Sequence, residues 1–220
     1  MDKKILLIGS SPIIKYYKLG TLIDSFEGPI VRFNSCQVKG FEEFVGSRTD
    51  VLSSWNLSAC IVHKGNGNVG GSSINIETLL DQTNRPKKFL IAGYPGKGQR
   101  ERFYQVGEKH QIEVEEIGGE IKKQCSLKLK EFQKKLSITG FSSRGSAGLL
   151  TTAFFLDKGY LVYYHGFSHF NKDVDLHYYH EGKFSPESRG ATNHSGVEKE
   201  WFDFYRKESA LKKFIKLPGL

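Results

Sequence analysis

Cysteine is scarce in this chain: three among 220 residues, at Cys36, Cys60 and Cys125, an odd number with no metal-ligand spacing. That excludes a disulfide framework and a cysteine zinc site and suits buried or bystander thiols in a reducing compartment. Long apolar runs are missing too. The longest, around Leu149 to Leu156, falls far short of the ~20 residues that a membrane span needs. Lys3 and Lys4 lead almost at once into a strand-like run with no signal-peptide core, so a cytoplasmic chain is expected. No internal repeat is visible.

What is present suits one globular unit. A hydrophobic share of 38% with 13% aromatics is that of a packed core and not of a disordered chain, and the length fits a single domain over residues 1–220. Strands are expected at Lys4 to Ile8, Ile30 to Phe33, Ala59 to His63, Lys88 to Ala92, Ser137 to Thr139 and Tyr160 to Tyr164. Helices are expected at Ile13 to Ser25, Ile76 to Asp81, Gln99 to His110, Leu127 to Lys135, Gly148 to Lys158 and Glu198 to Leu217. Their alternation implies an α/β fold, a single Rossmann-like sheet with flanking helices.

The densest signal lies between Ile8 and Thr49. The apolar run Ile5 to Ile8 stops at Gly9-Ser10-Ser11-Pro12, a helical spacing follows at Leu19, Leu22 and Ile23, and a second strand ends on Asn34. Strand, Gly/Ser turn, helix and strand make a unit that can cradle a phosphate, although many such units bind nothing. The series Gly9-Ser10-Ser11-Pro12, Leu19-Gly20, Ile23-Asp24, Arg32-Phe33-Asn34, Gly40-Phe41-Glu42 and Val45-Gly46 with Thr49 resembles the large sialylmotif of the animal-type sialyltransferases, glycosyltransferase family 29. Ser146-Ala147-Gly148-Leu149-Leu150, ending at Tyr164-His165-Gly166-Phe167, is similar to the small sialylmotif. Leu176-His177-Tyr178-Tyr179 resembles the third motif, and Asn193-His194 with Glu198 or Glu200 resembles the very short one. The order is the family's, while Asp50 to Thr139 carries little that matches.

The resemblance implies a sialyltransferase variant of the GT-A fold and an inverting transfer of sialic acid, or of the related ulosonic acid Kdo, from a CMP-activated donor to a glycan or glycolipid acceptor. It implies His194 as general base, a role that suits a side chain titrating near neutrality, and His177 facing the departing phosphate. It implies donor contacts from Gly9, Ser10, Ser11, Asn34, Ser146, Ala147, Gly148 and Tyr178. Ser10 stands where many members have Asn. Ser146 before a helix also has a plain use as an N-cap, whereas N–H groups at the start of that helix are well placed for an anion. The spacing after His194 leaves open whether Glu198 or Glu200 fills the very short motif. The disulfide of the animal enzymes has no counterpart, since the corresponding positions near Leu6 and Gly159 are not cysteine.

No cofactor and no metal are expected. Asp173-Val-Asp175 spells the DxD of metal-dependent transferases, but three letters carry little, and the resembled family works without metal by meeting a monophosphate with helix termini and histidine. Gly65-Asn66-Gly67-Asn68-Val69-Gly70 has the form GxGxxG without an acidic residue about twenty positions on. Gly93 to Gly98 lacks the Lys-Ser/Thr ending of a P-loop and reads as a turn after a strand. The net charge of +8 is scattered over Lys122 to Lys135 and Arg206 to Lys216 without a recognisable nucleic-acid module. It suits an anionic donor, an anionic acceptor or an acidic membrane surface, the last through peripheral contact of the basic C-terminal helix. Trp201, Phe204, Tyr205, Leu211, Phe214 and Ile215 give that helix an apolar face that also suits docking on the core. The alternative function is a catalytically inactive nucleotide- or glycan-binding protein of the same fold.

Overall fold

Strand β1 (Lys4–Ile8) occupies the apolar run before Gly9, with Ile5, Leu6, Leu7 and Ile8 all essentially inaccessible. A strand covered on both faces needs such a continuous run. In the computed structural model of the chain, described for residues 3–34, 36–55, 57, 76–138, 143–167, 197–208 and 211–213, it lies inside a seven-stranded sheet. The other strands are β2 (Ile30–Phe33), β3 (Val51–Ser54), β4 (Lys88–Ile91), β5 (Glu113–Glu116), β6 (Leu161–His165) and β7 (Leu211–Lys213). Their order is β5-β4-β3-β2-β1-β6-β7, and every pairing is parallel.

The pleat divides the core. Ile5, Leu7, Val31, Phe33 and Leu90 pack with residues of α5 (Gly119–Lys135), α6 (Ala147–Asp157) and α7 (Val197–Glu208). Leu6, Ile8 and Ile30 face α1 (Gly20–Asp24) and α2 (Glu42–Val45), and Leu52, Phe89 and Ile91 face α3 (Ile76–Gln82) and α4 (Lys97–His110). Successive strand residues point to opposite faces, which is why adjacent leucines serve different helix layers. From β1 the chain builds outward to β5 and then returns to place β6 on the other side of β1. The β1/β6 seam is thus the topological switch point, where open α/β sheets bind ligands beyond the carboxyl ends of their strands.

Several elements differ from the sequence expectation, each for a physical reason. Ile13 to Ser25 is not one helix. A 3-10 turn over Pro12–Tyr16 ends at the extended Tyr17, and α1 begins only at Gly20. A side chain on Gly20 would collide with the Glu42 carbonyl, so α1 starts where α2 presses on it. Ser137 and Ile138 form no strand: they close α5, with Ser137 at φ 53 and the Ile138 N–H donating to Gln133 O at 3.1 Å. The helix itself begins earlier than Leu127, at Gly119. The C-terminal helix stops at Glu208, and Leu211, expected on its apolar face, is instead buried in β7 beside Val162. Trp201 and Phe202 of α7 are buried in the core. Strand β6 runs one residue later than expected, at Leu161–His165.

Besides β7, the sequence hides β3 and β5, which are four residues each and rich in Ser or Glu. Acidic β5 lies at the sheet edge, where Glu113 and Glu115 pair with Lys88 and Glu116 with Arg100 and Lys122; charge of this kind blunts an open edge. Expected strand Ala59 to His63 and the glycines at 65–70 lie outside the described residues. Gly93 to Gly96 links β4 to α4, but Lys97 and Gly98, expected in the same turn, are the first residues of α4, which begins two residues before Gln99. Cys36 and Cys125 are free and buried, and burial pushes each thiol up to about 12. Among the described residues no helix is long and apolar enough to cross a membrane.

Candidate functional site

Gly9 ends β1 and allows an unusually close approach. A side chain there would strike the Gly166 carbonyl and the Phe167 ring, and the Gly9 N–H donates to His165 O at 2.8 Å. Ser11 N–H continues the stitch, donating to Gly166 O at 2.9 Å. Ser11 is buried and caps the 3-10 turn, its hydroxyl accepting from Ile13 N–H at 3.4 Å. Ser10, half-buried between them, spends its side chain on no hydrogen bond among the described residues. Sequence neighbours Ser10 and Ser11 are therefore unequal: Ser11 holds the turn with its hydroxyl, and Ser10 does not.

Asn34 follows β2 at φ 49, a left-handed conformation that asparagine tolerates better than most residues. Its N–H donates to Ser53 O at 3.0 Å, and its Oδ1 accepts from Ser54 Oγ at 3.0 Å. With the carbonyl oxygen engaged, the side-chain NH2 is the end left to donate. The hydroxyls of Ser53 and Thr151, 2.6 Å apart, tie β3 to α6.

Helix α6 presents its N-terminus at the same edge. Ser146 is the N-cap, its hydroxyl accepting from Leu149 N–H at 3.2 Å. The hydroxyl proton, expected to serve a ligand, goes to Glu198 instead: Ser146 Oγ donates to Glu198 Oε2 at 2.7 Å, and Ser146 N–H to Oε1 at 2.6 Å. A buried carboxylate at a helix N-terminus completes the positive end of the dipole, so Ser146 positions the helix. Ala147 and Gly148, in the first turn, have N–H groups ahead of the intrahelical ladder, where an anion can be received. Glu198 is 2% exposed, whereas Glu200 pairs with Lys135 at the surface at 2.7 Å. Of the two glutamates, Glu198 alone joins the small-motif helix.

Phe167 gathers these parts. Its ring lies where a side chain on Gly9 or Gly148 would be, and it meets Phe33 edge-on at 5.6 Å. Turn, β2 end, α6 N-terminus and β6 end thereby converge on one aromatic ring. His165, just before, had no support from sequence beyond its place beside Gly166-Phe167. It is 8% exposed, its Nε2 has no hydrogen-bond partner among the described residues, and burial holds its pKa down to about 4. A neutral imidazole with an unmatched nitrogen thus sits at the switch point.

Other matched residues prove to be scaffold. Arg32 is fully buried and donates to Arg48 O, Thr49 Oγ1, Val45 O and Gly46 O at 2.6 to 3.2 Å. Asp24 accepts from the backbone N–H groups of Ser47 and Arg48 and from the Ser47 hydroxyl. These bonds, from Arg48 and Ser47, hold its carboxyl below the usual range against the opposing pull of burial. The segment from Ile8 to Thr49 thus has a part at the carboxyl ends of β1 and β2, Gly9 to Ser11 with Asn34, and a part that fastens the α2–β3 loop. His177, Tyr178, Tyr179, His194 and the Asp173–Asp175 pair lie outside the described residues. Among those described, no group of three or more His, Cys, Asp or Glu could hold a metal ion.

Comparison with known proteins adds three findings. The family model "Glycosyltransferase family 29 (sialyltransferase)" matches residues 3–203. A mammalian sialyltransferase in complex with Gal-beta-1-3GalNAc-ortho-nitrophenol is similar in structure at a TM-score of 0.57, and a second mammalian sialyltransferase structure at 0.58; each shares 16% identity over 97% of this chain and 69% of the other. No curated protein matches the sequence.

Proposed function

The chain belongs to glycosyltransferase family 29, and on that premise we propose that it moves sialic acid, or the related ulosonic acid Kdo, from a CMP-activated donor to a glycan or glycolipid hydroxyl with inversion. The observation that supports this reading is the convergence on Phe167, at the switch point, of Gly9, of Phe33 just before Asn34, and of Gly148 at the α6 N-terminus. In the reaction the acceptor oxygen bonds to the anomeric carbon, the bond from that carbon to the phosphate oxygen breaks, and CMP leaves with the bonding pair. The acceptor proton passes to a histidine.

On this reading Ser10 and the Asn34 amide hold the nucleotide, and the N–H groups of Ala147 and Gly148 receive the sugar carboxylate or the phosphate. Gly9 and Ser11 shape the turn beneath them, and Ser146 with Glu198 sets the height of α6. His194 as base, His177 at the departing phosphate and Tyr178 beside it follow from the motif resemblance. We propose that transfer needs neither metal nor cofactor, that the partners are donor and glycan and not nucleic acid, and that the reaction is cytoplasmic. Peripheral membrane contact would use the basic side of α7 at Lys199, Arg206 and Lys207, since Trp201 and Phe202 are committed to the core.

Purified protein offered CMP-sialic acid and CMP-Kdo in turn, in the presence of chelator, tests the proposal. CMP release from one donor, lost in His194→Ala, is the expected result. CMP binding without release from either donor would leave a binding protein and sink the transferase reading.

A further inference from the structure

Large aromatic side chains are exposed at only a few places among the described residues, and two of these follow the paired strands β3 and β4 at the edge of the sheet that carries the proposed donor residues. Trp55, directly after β3, is 46% exposed, and Tyr94, three residues after β4, is 47% exposed. The strands are locked in register by the Ser54–Ile91 pairing and by Ala92 N–H donating to Ser54 O at 2.9 Å. Trp55 therefore stands beside Gly93. A side chain on Gly93 would overlap Trp55 Cβ, so glycine there lets the tryptophan lie against the end of β4.

The second ring is held as well. Tyr94 OH donates to Lys122 O at 3.4 Å, while Lys122 Nζ and Arg144 Cζ lie 5.4 and 5.9 Å from the ring centroid. Such cation contacts fix a ring's orientation. Exposed rings on a backbone held by strand pairing lose little freedom when a ligand lies against them. Its position names the occupant. Ser54, immediately before Trp55, bonds Asn34, and Arg144 lies two residues before Ser146. The pair thus borders the donor residues on the β3–β4 side.

We propose that Trp55 and Tyr94 form the acceptor platform, on which a pyranose ring of the glycan stacks its apolar face and presents a hydroxyl toward the donor. This rests on the glycosyltransferase reading. It adds the residues that select the acceptor, in a stretch of sequence where the family resemblance offers no guide.

The protein's two tryptophans make the test direct. Trp201 is 1% exposed, so collisional quenching by acrylamide reports Trp55. With CMP present, lactose or the Gal-beta-1-3GalNAc disaccharide at millimolar concentration should cut the quenching constant about twofold. Trp55→Ala and Tyr94→Ala should weaken disaccharide binding about tenfold while leaving CMP affinity by calorimetry unchanged; Trp55→Phe should recover part of the loss. Unchanged quenching with both sugars overturns the platform. So does loss of CMP affinity in Trp55→Ala, which would make Trp55 a donor contact, or protection that rises with protein concentration without sugar, which would make the surface a contact between copies. Failure of the wild-type protein to bind CMP would strike the glycosyltransferase reading and leave the sugar result to stand by itself.

Discussion

Glu198 grips Ser146 with both carboxylate oxygens, one 2.6 Å from the backbone nitrogen and the other 2.7 Å from the hydroxyl oxygen. The contact joins the first turn of α7 to the first turn of α6, across 52 residues of sequence. Both bonds are charge-assisted, and removing the carboxylate would strand a part-buried N–H and O–H. Glu198→Ala should therefore cost about 3 kcal/mol in urea unfolding. Glu200→Ala, which breaks only a surface pair with Lys135, should cost less than about 1 kcal/mol. Equal losses in the two variants would mean that the clamp is not what holds α6.

Asn34 combines a left-handed backbone with the proposed donor contact, and two substitutions separate them. Asn34→Gly keeps the φ of 49 easy, so stability should stay near wild type while CMP affinity falls about tenfold, roughly 1.4 kcal/mol. Asn34→Ala should lose the same affinity and, in addition, about 1 kcal/mol of stability from the left-handed backbone. Calorimetric titration with CMP beside thermal melts reads both; full CMP affinity in either variant would remove Asn34 from the donor site.

His165 makes stability depend on acid. The unfolded ring takes up a proton near pH 6.5, whereas the buried one resists until about 4. Between those values the unfolded state binds the extra proton, so stability falls as pH drops through that window, by about 3 kcal/mol in full. His165→Phe should flatten this part of the pH profile of the urea midpoint. An unchanged profile would show that the acid response comes from other groups.

Gly9 and Gly148 both abut Phe167, but with different partners in the way. A methyl on Gly9 meets the Gly166 carbonyl, backbone that β1–β6 pairing holds fixed, so Gly9→Ala should cost about 3 kcal/mol. On Gly148 the nearest atom is Phe167 Cε1, at 2.8 Å, part of a ring that can turn, and alanine's higher helix propensity returns ~1 kcal/mol. Gly148→Ala should accordingly be close to neutral in thermal melts. A larger loss at 148 than at 9 would contradict the packing around Phe167.

Much of the fold was legible where a strand is buried on both faces. Lys4 to Ile8 and Ile30 to Phe33 could be read to the residue because covered strands need unbroken apolar runs. Val51–Ser54 and Glu113–Glu116 could not, since two serines or three glutamates carry no strand signal until neighbouring strands pair with them. The helix expected to run on to Leu217 stops at Glu208 because Leu211 finds a better burial beside Val162 than on a helix face. Of the site, Gly9, Asn34 and the α6 N-terminus were visible as spaced matches. Glu198's hold on Ser146 and the unmatched nitrogen of His165 were not, because both depend on which distant segments meet.

The sequence by itself determined the class of this protein: an alternating α/β chain whose motif order is that of family 29, because glycine turns, buried runs and helix starts are local properties written in consecutive residues. Only the tertiary structure decided which of the matched and described residues serve as scaffold. Arg32 and Asp24 became fasteners, Ser146 a partner of Glu198, and Trp55 a neighbour of Gly93 across the β3–β4 pairing. Those roles are set by strand order and by contacts between residues far apart in the chain, and such contacts exist only once the parallel sheet has brought the carboxyl ends of its strands together.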